Sequence, residues 1–186
     1  MNDWLRRAGS GRDQAGATVI WSVSEGSRGR RWREVRIDGS GAIVSSLLLE
    51  TDPTGRFLHT ELSTPAGLLT LHPEGDGTIH GNTVTRAGIG HVRGLPWRPD
   101  AILVIDGSTI AACAAAQLIG RLVGSRRPTS WQAVTIDPGL VAAAGVVAVD
   151  RVGEAGWRIG SMAAIQVTPA RLPVLAESEE WPLEGE

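Results

Sequence analysis

Between residues 17 and 106, apolar and polar positions alternate in short runs, spaced about ten residues apart with turn residues between them. "ATVIWSVSE" (17–25) is rich in Val, Ile and Trp. "RRWREVRI" (30–37) alternates strictly, with Trp32, Glu34 and Arg36 on one side and Val35 and Ile37 on the other. "AIVSSLLLE" (42–50), "RFLHTELS" (56–63) and "LLTLH" (68–72) continue the rhythm, and in the second of these Leu58 and Leu62 are set against His59 and Glu61. "DGSG" (38–41), "DPTG" (52–55), "TPAG" (64–67) and "PEGDG" (73–77) punctuate it. Asp-Gly suits a tight hairpin because Gly tolerates positive φ, and Pro second with Gly last suits a type I turn. Strands follow at "TIHGNTV", "GIGHVRG" and "AILVIDG", and again after residue 130 at "WQAVTI", "LVAAAGVVAVDRV" and "WRIGSMAAIQV". Many short strands with regular turns predict an all-β protein, antiparallel and barrel-like or built from two half-barrel sheets.

One stretch breaks the pattern. In "STIAACAAAQLIGRLVG" (108–124), Ile110, Ala114, Leu118 and Leu122 recur every four residues, Ala is the best helix former, and Ser108 is a good N-cap. One short helix is expected near 109–123. "RRPTS" (126–130) ends it. Residues 1–16 lack periodicity and are expected as a loose arm before a single domain, 17–184. Leu172, Val174 and Trp181 are expected to pack at the acidic end, with the last few residues frayed. "WREVRIDG" (32–39) is echoed by "WQAVTIDP" (131–138), and "TPAGL" (64–68) by "TPARL" (168–172). A duplication would give halves 17–107 and 125–184; β patterns also produce short matches by chance.

Composition narrows the class. The chain has 186 residues, 42% hydrophobic and 20% charged, with net charge −2, which is ordinary for a globular domain. All 18 basic residues are Arg, but Arg30-Arg31 and Arg126-Arg127 are pairs rather than patches, so no nucleic-acid partner is expected. No apolar run reaches the length of a membrane span, the N-terminal "MNDWLRRAGSGRDQAGA" has none of signal-peptide length, and Cys113 stands alone, so the expectation is cytoplasmic. Oligomeric state is not readable.

The chemistry-bearing residues are few. The four histidines, His59, His72, His80 and His91, fall within 33 residues. If "PEGDG" is a five-residue hairpin tip, His72 pairs with Thr78 and Thr70 with His80. The two histidines then lie diagonally on a His/Thr face, while Leu69, Leu71 and Ile79 face the core. Zinc needs three or four converging ligands, and the sequence does not bring these together; they stay minority metal candidates, with Glu61 or Glu74 as helpers. No cofactor is expected. Ser108 lacks the G-x-S-x-G context of a nucleophile and reads as a cap; Asp106 reads as a turn residue with Gly107, and Cys113 as a small buried hydrophobe. No phosphate-loop motif occurs among the 24 glycines. Seven Trp stand beside one Phe and no Tyr. Trp32, Trp131 and Trp157 suit a core, while Trp21 and Trp97 are the candidates for a ligand cavity.

The order "LLTLHPEGDGTIHGN", "VRGLPWRPDAILVIDGSTIA", "VTIDPGL", "VDRVGEAGWRI", "LPVLAESEEWPL" resembles the bacterial glycolipid-binding protein family over about residues 17–184. Asp76-Gly77, Gly107-Ser108-Thr109 and Arg151-Val152-Gly153-Glu154 stand where that family has its turns. The chain departs at Ile110–Ala116, Ala-rich where the family is Asn-Thr-Leu-Pro-rich, and the resemblance would make part of that stretch a strand. It implies two half-barrels and no catalytic residues to carry over. The expected function is therefore non-catalytic binding of a lipid-like or glycolipid-like amphiphile in an apolar, Trp-lined cleft. The alternatives are a metal-dependent hydrolase using the histidines and a β-edge protein-interaction module.

Overall fold

The computed structural model describes residues 5–123, 130–161 and 164–182. The strands β1 (Arg6–Arg12), β2 (Thr18–Gly26), β3 (Gly29–Ile37) and β4 (Ile43–Thr51) are followed by β5 (Phe57–Thr64), β6 (Gly67–Pro73), β7 (Thr78–Thr85) and β8 (Gly88–Pro96). Next come β9 (Ile102–Ile105), the helix α1 (Thr109–Val123) and β10 (Ser130–Ile136). β11 (Ala142–Val152), β12 (Gly156–Ile159), β13 (Ile165–Val167), β14 (Pro173–Val174) and β15 (Ala176–Pro182) complete the described chain.

β1 to β8 form an antiparallel meander, and β15 adds to the β1 edge to make nine strands. β9 to β14 form a second, curled sheet of six. The fold is all-β with one helix, as the strand rhythm requires. The antiparallel rule has one exception among the described pairs: β9 and β10 run parallel, because α1 carries the chain back between them. The strands that carry the first echo, β3 and β10, have different neighbours. β3 has antiparallel neighbours on both sides, whereas β10 has one parallel and one antiparallel neighbour. The first sheet also takes strands from both ends of the chain.

The helix is the centre of the molecule. Every residue from Ile110 to Ile119 is buried, so the four-residue stripe becomes a helix enclosed on all faces, with only its end emerging at half-exposed Leu122. It contacts β3 from one sheet and β9, β13 and β14 from the other. The Ala run fits this position, since small side chains let a helix lie close to two sheets at once. Ser108 Oγ accepts from Ala111 N at 3.1 Å, the N-cap bond expected of it.

Inward residues of the large sheet form transverse rows. One runs Trp21, Glu34, Leu47, Leu62, Leu69 across β2 to β6; the next runs Val23, Trp32, Leu49, Thr60, Leu71. Leu69, Leu71 and Ile79 are fully buried, as the opening hairpin predicts. Leu58 and Leu62 do not share a side. A bulge at the start of β5 pairs Thr51 with Phe57 and Glu50 with His59, which turns Leu58 outward and Phe57 and Thr60 inward.

Five loops share one hydrogen-bond pattern. At Asp13, Asp38, Asp52, Asp137 and Thr168 the first residue bonds N–H to the carbonyl four residues on, and its side-chain oxygen accepts the N–H of that same residue. The fourth residue takes positive φ: Gly16, Gly41, Gly55, Leu140 and Arg171. In "DGSG" the left-handed position is therefore Gly41 and not the Gly of Asp-Gly.

Two further expectations change. Residues 6–12, read as part of a loose arm, are β1, paired on both edges. Val174, expected to pack, is 50% exposed. The side chain of Trp181, the pair Arg126-Arg127, most of the break at 126–130 and the last four residues lie outside what is described. No described helix is long and apolar enough to cross a membrane.

Candidate functional site at the start of the helix

β9 delivers Asp106, Gly107 and Ser108 to the start of α1, and β3 lies across that point. Glu34 is the one acidic member of an otherwise apolar row and is 2% exposed. Its Oε2 accepts from Ile110 N at 2.9 Å, and Ser108 also hydrogen-bonds to it. The carboxylate thus caps a helix from a different sheet, where the partial positive end of the helix favours it. Burial nevertheless dominates, and pushes the Glu34 carboxyl up from 4.5 to about 7. The Ile110 N–H, Ser108 and Arg36 all act against that rise.

Arg36, two residues along β3 on the same side, is held by Asp13: Nε and Nη2 donate to Oδ2 at 3.2 and 2.5 Å. Asp13 is fixed in turn through Oδ1 by the Ala15 and Ala17 N–H groups. Gly107 has φ 73°, and a Cβ there would meet the Arg36 guanidinium at 2.4 Å. The left-handed φ is what favours glycine here, and a side chain would also displace the Arg36 guanidinium.

Arg36 and Asp106 separate two clefts. The smaller, about 190 Å³, is bounded by Glu34, Ser108, Thr64, Leu62, Asp137 and Pro138. The larger, about 450 Å³, is lined by the aliphatic residues Ala15, Ala164, Ile165, Val174 and Leu175 together with Arg12, Asp13, Arg36, Asp106, Thr109 and Gln166. Two arginines and two aspartates are among them, so the polar lining is balanced in charge.

Of the residues weighed from the sequence, Ser108 and Asp106 border the smaller cleft, but the tryptophans and histidines are elsewhere. Trp21 is 3% exposed, stacked under β1 with its Nε1 unpaired among the described residues. Trp97 is 7% exposed and packs edge-to-face on Phe57, with centroids 5.4 Å apart. Neither borders the two clefts. The interior expected as a Trp-lined cavity is filled by α1; a space of about 20 Å³ remains between Leu49, Phe57, Ala111 and Ala115. Trp32 and Trp157 are buried, and half-buried Trp131 donates to Asp100 O.

His72 and His80 sit directly opposite each other rather than diagonally, because the hairpin is centred on Asp76, one residue later than a tip at 73–77 would be. Each remaining histidine contact goes its own way: His59 to Glu61 at 3.1 Å, His72 to Glu74 at 2.9 Å, His91 to Asn82 at 2.7 Å. Among the described residues no three His, Cys, Asp or Glu side chains are grouped to hold a metal. Cys113 is fully buried, and burial together with the Glu34 charge pushes its thiol far up, so it stays protonated. The β-edge alternative has several structural correlates, since β15 and β8 end one sheet and β14 and β9 the other. β12 pairs only with residues 149–152 of β11, leaving one edge of 142–147 without a strand partner among the described residues.

Sequence reasoning passed over Glu34, Arg36 and Asp13. The available signal was the strict alternation of "WREVRI": the side that carries Trp32, the largest apolar residue, also carries Glu34 and Arg36.

No protein-family model and no curated protein matches this chain. Among solved structures, a DUF1089 family protein from Pseudomonas aeruginosa is similar in fold, with a TM-score of 0.53 and 16% identity over 83% of this chain and 86% of that one. At that identity the likeness speaks for fold alone.

Proposed function

We propose that this chain is a non-catalytic binding domain for a small amphiphile, held in the 450 Å³ cleft at the start of α1. The observation that carries the reading is the cleft's mixed lining: Ile165, Val174 and Leu175 together with Arg36, Asp106, Thr109 and Gln166. Its size is within the range of ligand pockets, about 300–1,000 Å³. The balanced charge favours a neutral, hydroxyl-rich head over a strongly anionic one. The Arg36–Asp13 pair and the capped helix start are held by bonds within the protein, so the polar lining needs little rearrangement to receive a ligand. The proposal differs from a Trp-lined barrel interior: the amphiphile rests outside the helix, not in its place.

The test is native mass spectrometry of protein purified from its own host without detergent, followed by titration with dodecyl maltoside below its micelle concentration. A one-to-one adduct is expected for the wild type, weakened about tenfold in Leu175→Trp, which adds bulk to the aliphatic lining. No adduct in either experiment, or an adduct indifferent to Leu175→Trp and Val174→Trp, would overturn the reading.

A further inference from the structure

A further cleft, about 840 Å³, lies at the other end of β3, around the β2–β3 hairpin. Four arginines border it, Arg6, Arg28, Arg30 and Arg31, against two glutamates, Glu25 and Glu50. The surplus is two positive charges in a chain whose net charge is −2.

The register arranges three of the polar residues in a row. Arg6 on β1 lies opposite Ser24 on β2, and Ser24 lies opposite Arg31 on β3. The two arginine backbones are therefore two strand spacings apart, roughly 10 Å, with a serine hydroxyl between them. Side chains that long can close on one group seated over Ser24. Arg31 is already oriented: its Nε and Nη2 donate to Glu50 Oε1 at 2.8 and 2.6 Å, leaving Nη1 without a partner among the described residues. Arg30 is spoken for. It bonds Glu25 and Ala170 O and lies over the Trp32 ring at 5.5 Å. Arg6 and Arg28 are exposed, and neither side chain has a partner among the described residues. Arg28 stands at the tip of the two-residue turn between Gly26 and Gly29. Gly29 is fixed there, since a Cβ would fall 1.9 Å from Thr51 O.

We propose that Arg6, Ser24 and Arg31, with Arg28 at the hairpin tip, form a binding site for a phosphate group. Guanidinium forks match the geometry of phosphate oxygens and donate charge-assisted hydrogen bonds to them. The serine hydroxyl supplies a neutral donor between the forks. Because the cleft is open, the phosphate can come from a soluble phosphate ester or from the head group of an anionic lipid. This site is remote in the fold from the amphiphile cleft and stands independently of it.

The experiment has two arms at low ionic strength. One is calorimetric titration with inorganic pyrophosphate. The other is cosedimentation with phosphatidylcholine vesicles containing phosphatidic acid. Saturable binding is expected in at least one arm, falling by on the order of tenfold or more in the Arg6→Gln/Arg28→Gln double variant. It should change little in Arg93→Gln, which removes an exposed arginine on β8. Binding to pyrophosphate identifies soluble phosphates as ligands; binding to vesicles alone identifies a lipid head group. Both substituted positions are exposed, and unchanged thermal unfolding will show that the double variant is folded. No binding in either arm, or equal losses in the double variant and Arg93→Gln, overturns the proposal.

Discussion

Glu34 is the residue on which local chemistry and stability meet most directly. Its carboxyl is raised from 4.5 to about 7 by burial, so the folded chain keeps a proton that the unfolded chain has lost between those values. Stability from this group is full below pH 4.5 and declines as pH rises towards 7; above that the group adds no further slope. Glu34→Gln keeps an oxygen for the Ile110 N–H and removes the titration. Denaturant unfolding across pH 4 to 9 should show that the variant lacks the wild type's decline between about 4.5 and 7 and is the more stable of the two at pH 8. The gap should be on the order of a few kcal/mol. Parallel curves for the two proteins would show that the carboxyl is not raised. Two other residues carry visible constraints. Gly9 faces Trp21 across the β1–β2 pair, and a Cβ there would lie 2.6 Å from the indole. Leu140 and Arg171 hold left-handed φ of 68° and 65° in loops where three of their counterparts are glycine. Leu140 accepts that cost with a buried side chain.

At the scale of elements, the helix and the turns were the legible parts of the chain. Ser108 as N-cap and the Ala run predicted α1 over 109–123, and α1 is Thr109–Val123. The departure from the glycolipid-binding pattern at Ile110–Ala116 was thus a helix signal. What the periodicity did not reveal was enclosure. A repeat of four marks one buried face, yet small residues let the remaining faces be buried as well, and Ala is neutral to that distinction. β1 was illegible for a related reason: "AGSG" carries no hydrophobic alternation because Gly9 must leave room for Trp21. Enclosure makes α1 intolerant of volume. Ala116 is fully buried, and Ala116→Leu adds three carbons where the interior has almost no space, so it should cost about 1–3 kcal/mol in chemical denaturation. Leu122→Ala, at the half-exposed end, should cost much less. Equal costs at the two positions would place the helix at the surface.

For the whole molecule, the rhythm of strands gave the all-β class, but it could not give the pairing partners. Parallel pairing of β9 with β10 depends on a helix folding back, and β15 pairs with β1 across almost the entire chain. Both are long-range decisions, invisible to a ten-residue window. The candidate site suffered in the same way. Asp13, Glu34, Arg36, Asp106 and Gln166 come from four separate elements or loops, and only the packing of both sheets on α1 brings them to one end. The histidines, close in sequence, do not converge on one point: His72 and His80 lie opposite each other, while His59, His72 and His91 each hydrogen-bond a different partner.

The pairing of the first strand with the last has a consequence for the order of the chain itself. Arg7 lies opposite Pro182, so the two ends of the described chain run side by side and a short linker can join them. The exposed tip at Glu74–Gly77 can then be cut to provide new ends. A permuted chain that begins at Gly77 and finishes at Asp76 should keep the wild-type circular dichroism and unfold cooperatively. A permutant that fails to fold while a cut-free, circularised chain succeeds would show that the β6–β7 hairpin must be continuous for the large sheet to form.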